Sequence, residues 1–465
     1  MVKSIKYGGC LIMLKRRILL TLALIIIFSG IIFYGELTFA IEDMTTEELY
    51  QNTLSFLEYL QTADYAKAVE QFDEKVKTIL PEKDFEELWT KMTKDLGELT
   101  SWGNFRTSEQ GGYQITLLAC NFEMLNLDLR LAFNQEGKIS GFQMLPTAQT
   151  EGYEYIPPGY VKKDRFSEIE ISFGAPEWEL PGILSLPHGE GLFPGVVLVH
   201  GSGPNDKDET IGPNKPFKDL AWGLASKGIA VLRYDKRTKV HGLQIDPKNF
   251  TVTDEVIEDV LLALDFLRQQ EKINSAKIFL LGHSLGGQLV PIIANQDKKV
   301  AGVMVLAGPT RFLHHLFPAQ MEYIFSLDGE INQEETKLLE TIKNGMQLID
   351  EYKLAADEAV PGIGGYAGYW YDLQERDPVT EALKLSCPLF ILQGGRDYQI
   401  TLEDFQGWQQ GLASREQVTF QLYPRLNHLF IAGEGRSTPE EYQLFGNVET
   451  QVISDLADWI LSLSR

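Results

Sequence analysis

The sequence predicts an α/β protein, a mostly parallel sheet with helices on both faces, preceded by a small α+β domain. Three observations carry this expectation. From Phe166 onward an early strand pair gives way to alternating strand and helix patterns, the order of a sheet built with crossover helices. Residues 45–147 instead place helical patterns first and a period-two pattern after them. Finally, the apolar run Ile278-Phe-Leu-Leu281 passes through Gly282-His-Ser-Leu-Gly286 into a helical pattern, so a serine sits on a tight turn between strand and helix.

With 465 residues the chain has room for two or three domains, and 44% apolar residues supply a core. The formal net charge is −23; residues 1–40 hold five Lys/Arg and one Glu, which leaves −27 on the rest. That balance argues against nucleic acid and anionic membrane surfaces as partners. Lys15-Arg-Arg17, the charge-free run Ile18–Tyr34 and the small-residue exit to Ala40 form an export pattern, with Met13 an alternative start. Residues 1–40 therefore read as a signal peptide cleaved after Ala40 or, because the run is long, as a retained membrane anchor. Either way the bulk of the chain is expected to be extracellular. No lipobox is present, since Cys10 precedes the apolar run, and Cys120 and Cys387 fall in different expected domains, so free thiols are expected.

Residues 45–80 repeat Leu49, Leu54, Leu57, Leu60, Ala66, Val69 and Phe72 at helical spacing behind the cap signal Thr45-Thr-Glu-Glu48. Pro81 breaks this pattern, and Phe85–Leu96 forms a second helix. From Ser101 to Leu145 alternation takes over, clearest at Tyr113–Leu117 and Leu125–Leu131, with Asn134–Gly137 as a turn. This small domain carries no catalytic constellation. Residues 148–165, rich in Pro, Gly and Tyr, read as a linker. Beyond it strands are expected at 169–173, 182–186, 195–200, 229–234, 277–281, 300–307, 388–393 and 418–423. Helices are expected at 218–227, 254–269, 286–295, 402–412 and 447–464. Between them, residues 311–386 show no strand pattern. Their amphipathic run Leu338 to Leu354 predicts a helix, and an insertion of this length reads as a lid over a site or as a packing elaboration.

Ser284 on its turn is a candidate nucleophile that needs a histidine and an acid, and proteins that carry such a strand-turn-helix elbow place them in the order serine, acid, histidine, the order a resemblance to them implies here. Of seven histidines, His188, His200, His241 and His283 precede Ser284 or share its turn, and His314 and His315 come too early. His428, beyond the last strand, is left as the general base. The run Cys387–Gln393 followed by Gly-Gly-Arg-Asp397 puts Asp397 at a strand's C-terminal end, with Asp404 and Asp372 as reserves; a salt bridge to Arg396 or a cap would be its structural use. Val196–His200 runs into Gly201-Ser-Gly-Pro204, where the N–H of Ser202 or Gly203 would pair with that of Leu285 as an oxyanion hole. Gly203 would also meet the substrate. A phosphate loop fails on spacing, and Asn205–Glu209 lacks the ligand pattern of a metal loop. No cofactor is required. Within the insertion, Tyr369 and Trp370 would line an acyl or aryl pocket, or simply pack.

The set Gly282–Gly286, Asp397, His428 and His200-Gly201 resembles the α/β-hydrolase superfamily. The stretches His200–Asp206, Gly212–Phe217 and Leu232-Arg-Tyr-Asp-Lys-Arg237 resemble a bacterial esterase branch near dienelactone hydrolases and prolyl-oligopeptidase-type peptidases. The likeness spans residues 166–465, and the upstream region resembles the small domain of unknown function often fused to secreted hydrolases. It implies an α/β-hydrolase fold with a helical cap insertion, and cleavage of small-molecule esters through an acyl-enzyme. The alternatives are a serine peptidase with the same triad and a cell-surface binding protein that keeps the fold. Serine at position 284, where dienelactone hydrolases carry cysteine, makes simple ester cleavage the expectation over lactone opening.

Overall fold

The computed structural model describes residues 44–110, 113–123, 126–146, 155–242 and 244–464. The expected leader or anchor and the first part of the expected linker lie outside them. Among the described residues no helix is long and apolar enough to cross a membrane. The chain divides into two compact units, residues 1–151 with 243–246, and residues 152–242 with 247–465.

The first unit opens with the helix Thr46–Gln61, started by a reciprocal capping box between Thr45 and Glu48. The single long pattern expected to residue 80 is broken into three helices, Thr46–Gln61, Tyr65–Glu70 and Glu74–Ile79, because Asp64 and Asp73 each cap a new start. A fourth follows at Glu82–Leu96. Strands β1 (Leu99–Gln110), β2 (Tyr113–Phe122), β3 (Asn126–Phe133) and β4 (Ile139–Pro146) form an antiparallel meander in sequence order. Phe56, Phe85 and Trp89 from the helices and Phe72 from the link between two of them pack with Leu118, Leu129 and Leu131 of the sheet. The strand β1 is the element the alternation signalled least. Its run Ser101–Gln110 is polar or small at most positions, so pairing with β2, not burial, holds it extended.

In the second unit the residues expected to be linker are partly built in. Tyr155 packs edge-on against Trp222, and the Tyr160 hydroxyl donates to the Val448 carbonyl at 3.0 Å. Eight strands follow: β5 (Phe166–Phe173), β6 (Leu180–Pro187), β7 (Phe193–Val199), β8 (Ala230–Tyr234), β9 (Ile273–His283), β10 (Gly302–Leu306), β11 (Leu389–Gly394) and β12 (Val418–Tyr423). Their spatial order is β12-β11-β10-β9-β7-β8-β6-β5. The pairings β5–β6 and β6–β8 are antiparallel and the others parallel. The near-continuous apolar runs of β7, β8, β10 and β11 are buried, as a sheet covered on both faces demands.

Two features of this order position the site. The chain leaves β7 outward to β8 and returns across it to β9, so the C-terminal ends of β7 and β9 lie together where the order reverses, which is where ligands bind in open α/β sheets. The insertion between β10 and β11 contains four α-helices, Leu313–Phe325, Gln333–Asp350, Ala367–Gln374 and Pro378–Leu383, and a short 3-10 turn, Ser326–Asp328. Only the second was anticipated, and it ends at Asp350, short of Leu354. The others are short or apolar on most sides, so their pattern has no clear stripe.

Candidate active site

Ser284 lies between the last residue of β9 and the helix Leu285–Gln296, at φ 54° and ψ −120°. A non-glycine residue pays for such a conformation, and a tight strand-to-helix elbow is where it recurs. The glycines around it are required by contact. A Cβ on Gly282 would stand 2.2 Å from the Gly286 carbonyl oxygen, and one on Gly286 2.1 Å from that of Val199. The elbow is tied down by the Ser284 N–H donating to Leu306 O in β10 at 2.9 Å.

His428 and Asp397 come together as expected. The His428 Nδ1 and Asp397 Oδ2 are 2.7 Å apart, and both side chains are buried. The other oxygen, Asp397 Oδ1, accepts the backbone N–H groups of Gln399 (2.8 Å) and Ile400 (3.0 Å), which fixes the carboxylate plane. Arg396 turns away and pairs with Glu441. The reserve acids are engaged elsewhere, Asp404 with Arg311 and Asp372 with Arg376. The His428 ring lies 4.6 Å, centroid to centroid, from that of His283, the residue before Ser284. Among the described residues no hydrogen bond joins the Ser284 hydroxyl to His428; such bonds are often long without substrate.

The loop after β7 meets the elbow because Val199 pairs with Gly282. A Cβ on Gly201 would sit 3.2 Å from that of Ser284. Ser202 and Gly203 are exposed there, and Gly203 has φ +90° with open space around its Cα. Among the described residues nothing accepts the Ser202 N–H. Leu285 is the first residue of its helix, so its N–H has no intrahelical acceptor. The expected pocket aromatics are committed inside the protein: Tyr369 OH donates to Glu255 Oε2 at 2.6 Å, and the buried Trp370 donates to the Gly364 carbonyl and packs against Phe317.

Sequence reasoning missed a set of buried charges beneath this site. Glu209, itself at φ +50°, accepts the Gly201 N–H at 2.7 Å with Oε1. Its Oε2 stands 2.9 Å from His283 Nδ1, a close ionic contact outside hydrogen-bond alignment. On the far side, His283 Nε2 lies 2.9 Å from the His428 carbonyl oxygen. Burial pulls the His283 pKa down, but Glu209, with the His428 carbonyl and Asp397, together offset it and leave it raised; reciprocally, burial raises Glu209, and His283, with His200 and the Gly201 N–H, lowers it overall. His200 is different: burial takes its pKa down to about 4, so it stays neutral between the rings of Phe217 and Tyr234. The sequence signal was only a run of acids, Asp206, Asp208 and Glu209, in an otherwise glycine-rich loop.

One group among the described residues brings three metal-type ligands together, His314, His315 and Asp350 in the insertion. Both imidazole Nε2 atoms point at the same Asp350 Oδ1, at 2.9 and 2.8 Å, the geometry of two N–H donors sharing an acceptor. The buried His314 Nδ1, without a partner, fits a bare lone pair better than the N–H that metal ligation through Nε2 would leave there.

A family model described as "Serine aminopeptidase, S33", a hydrolase model, matches residues 196–434. A curated relative, esterase EstD of Thermotoga maritima, is 39% identical over 412 residues, 88% of this chain and 95% of the relative. The chain belongs to this hydrolase family. Its fold is the α/β-hydrolase fold, and the matched segment spans β7 through the loop carrying His428. A second model, a domain of unknown function, matches residues 54–142 in the first unit. Among solved structures, Est1E from Butyrivibrio proteoclasticus aligns at 13% identity and TM-score 0.42 over 63% of this chain and 99% of that one. The acylaminoacyl peptidase of Pyrococcus horikoshii aligns at 13% and 0.43 over 78% and 55%.

Proposed function

We propose that this chain hydrolyses carboxylic esters of small molecules through an acyl-enzyme on Ser284. The reading is carried by the His428–Asp397 pair at 2.7 Å beside a serine held on a strained elbow. Ser284 Oγ attacks the ester carbonyl while His428 Nε2 takes its proton. Asp397 keeps the Nδ1 proton in place and stabilises the imidazolium that forms. The N–H groups of Leu285 and Ser202 receive the oxyanion, and their alignment with the developing charge accelerates the reaction. The alcohol leaves with the proton from His428, and water, activated by the same imidazole, releases the acid. The close similarity to esterase EstD over most of both chains favours an ester over an amide as the substrate class.

A second reading, peptide cleavage by the same triad, is favoured by the description of the family model. The basic, apolar and small-residue succession of residues 1–40 supports export, as a secreted or membrane-anchored enzyme. The test is hydrolysis of p-nitrophenyl acetate, butyrate and octanoate beside aminoacyl-nitroanilides, with residues 41–465 and Ser284→Ala. Ester turnover lost in the variant, with anilides untouched, is expected. Anilide cleavage of comparable efficiency would make it a peptidase, and silence on both panels would favour a binding role.

A further inference from the structure

An oxyanion donor is useful only if it is aimed before the substrate arrives. The Ser202 amide sits in an exposed glycine-rich turn, which by itself is soft. What fixes it lies beneath. Gly201 is buried and both its polar atoms are held: its N–H donates to Glu209 Oε1 at 2.7 Å, and its carbonyl accepts from the buried Lys236 Nζ at 2.8 Å and, more distantly, from Asn205 Nδ2 of the loop itself at 3.2 Å. The Gly201 N–H is therefore unavailable to substrate. The peptide joining Gly201 to Ser202 is trans, so its C=O and N–H point in opposite directions. An ammonium that grips the carbonyl from the buried side turns the Ser202 N–H to the open side, in a peptide whose Gly201 end approaches Ser284, a Cβ there standing 3.2 Å from that of the serine.

Lys236 reaches this carbonyl because β8 runs parallel to β7, with Val197 opposite Leu232, so the loops after both strands emerge side by side. It is 2% exposed and pairs with Glu255, 6% exposed, at 2.5 Å. A buried ion pair is weak evidence of stabilisation, since desolvation offsets most of the attraction. Here the ammonium also spends a hydrogen bond on one backbone carbonyl next to the nucleophile. Glu255 lies in a single π-helical turn, Thr253–Ile257, a distortion common at functional sites. Its second oxygen accepts the hydroxyl of Tyr369, from the insertion helix Ala367–Gln374. Burial, with Glu255 beside it, keeps that phenol protonated and donating.

We propose that Lys236 is a positioning residue for the oxyanion hole, aiming the Ser202 N–H through the Gly201 carbonyl, and that Tyr369 couples the insertion to the hole through Glu255. This rests on the ester-hydrolase reading above. The insertion then acts on the chemical step through a hydrogen-bonded chain, Tyr369–Glu255–Lys236–Gly201, instead of by lining a pocket.

The test compares Tyr369→Phe, Lys236→Met and Lys236→Arg with the parent enzyme. It measures kcat and KM on p-nitrophenyl butyrate and the inhibition constant of an alkyl trifluoromethyl ketone. Ser284 Oγ adds to that ketone's carbonyl carbon, its proton passes to His428, and the carbonyl π pair moves onto oxygen, giving a stable oxyanion that reports the hole directly. Loss of a whole donor costs about 10²–10³ in rate, so a mis-aimed one should cost less. Tyr369→Phe is expected to lower kcat about 3- to 10-fold and Lys236→Met about 10- to 100-fold, with KM unchanged and the inhibition constant raised in proportion. Lys236→Arg, which keeps a donor of different reach, should fall between parent and Met. Values of kcat and inhibition within twofold of the parent for Tyr369→Phe would overturn the coupling, and the same for folded Lys236→Met would overturn the clamp. A kcat loss without weaker ketone binding would also overturn it, as would losses that merely track the folded fraction by circular dichroism. Should Lys236→Met not fold, Tyr369→Phe decides. Ester turnover that survives Ser284→Ala would instead refute the hydrolase reading, and the clamp with it.

Discussion

Replacing Asp397 by asparagine tests the acid on geometry alone. The Asp397 Oδ1 accepts two backbone N–H groups, those of Gln399 and Ile400, so in the variant the amide oxygen must occupy that position. The amide NH2 is then forced to the Oδ2 position, facing His428 Nδ1 at 2.7 Å and the Gln393 Nε2 donor at 3.3 Å. It donates to Nδ1, which must be unprotonated, so the imidazole carries its proton on Nε2, the nitrogen that has to accept one from Ser284. In the serine-protease case the same change costs about 10⁴ in kcat through the wrong tautomer, and a loss of about 10³–10⁴ is expected here. Opposing the Gln393 donor with another donor costs about 1–3 kcal/mol of stability, so the protein should still fold. The assay is p-nitrophenyl butyrate turnover beside a urea titration. A folded variant within tenfold of the parent, or an equal loss in Asp404→Asn or Asp372→Asn, would refute the assignment.

Gly286→Ala places a Cβ 2.1 Å from the Val199 carbonyl oxygen in the central strand, and overpacking against backbone should cost at least about 1–3 kcal/mol, read as a lowered urea midpoint. Arg233, 1% exposed, pairs with both Glu168 (2.7 Å) and Asp208 (2.9 Å); Asp208 keeps Lys215 at 3.4 Å and Glu168 keeps the Trp222 donor at 2.6 Å, so Arg233→Met weakens both acids without stranding either and should cost about 1–3 kcal/mol by the same titration, and no change would mean these pairs do not form in solution. The Glu209–His283 contact has a definite pH signature. The raised His283 pKa gives stability that is fully present below the ordinary imidazole value of 6.5 and is lost as pH rises through the folded value, while the lowered Glu209 pKa gives stability present above 4.5 and lost as pH falls. The stability lead of the parent over Glu209→Gln should therefore be greatest between those limits and narrow on both sides. A lead that grows steadily from pH 6 to 9 in thermal unfolding would contradict the ion pair.

Much of the catalytic unit was legible because its signals are local. A buried parallel strand must be apolar nearly throughout, so β7, β8, β10 and β11 stand out in the sequence, and the half-exposed edge strand Val418–Tyr423 also matches to the residue. The elbow is legible because only glycine tolerates 2 Å approaches of backbone at positions 282 and 286; elimination among the histidines left His428, and a place at a strand end singled out Asp397 over Asp404 and Asp372. Where burial is not the organising force, legibility fails. The polar strand β1 and the three unanticipated insertion helices are held by pairing and packing partners that no window of sequence contains.

The sequence by itself determined the sheet, the elbow and the candidate serine, acid and histidine, because each is written in residues whose chemistry acts within a few positions. Only the tertiary structure decided how the loop after β7 is held. Glu209, Lys236, Glu255 and Tyr369 lie on four separate segments, and the adjacency of β7 with β8 and β9 is what brings Lys236 and His283 to the loop after β7. A charge in a sequence reads as solvated surface. It becomes a buried clamp only when strand order supplies an opposite charge and a carbonyl within hydrogen-bond reach, which is a property of the assembled fold.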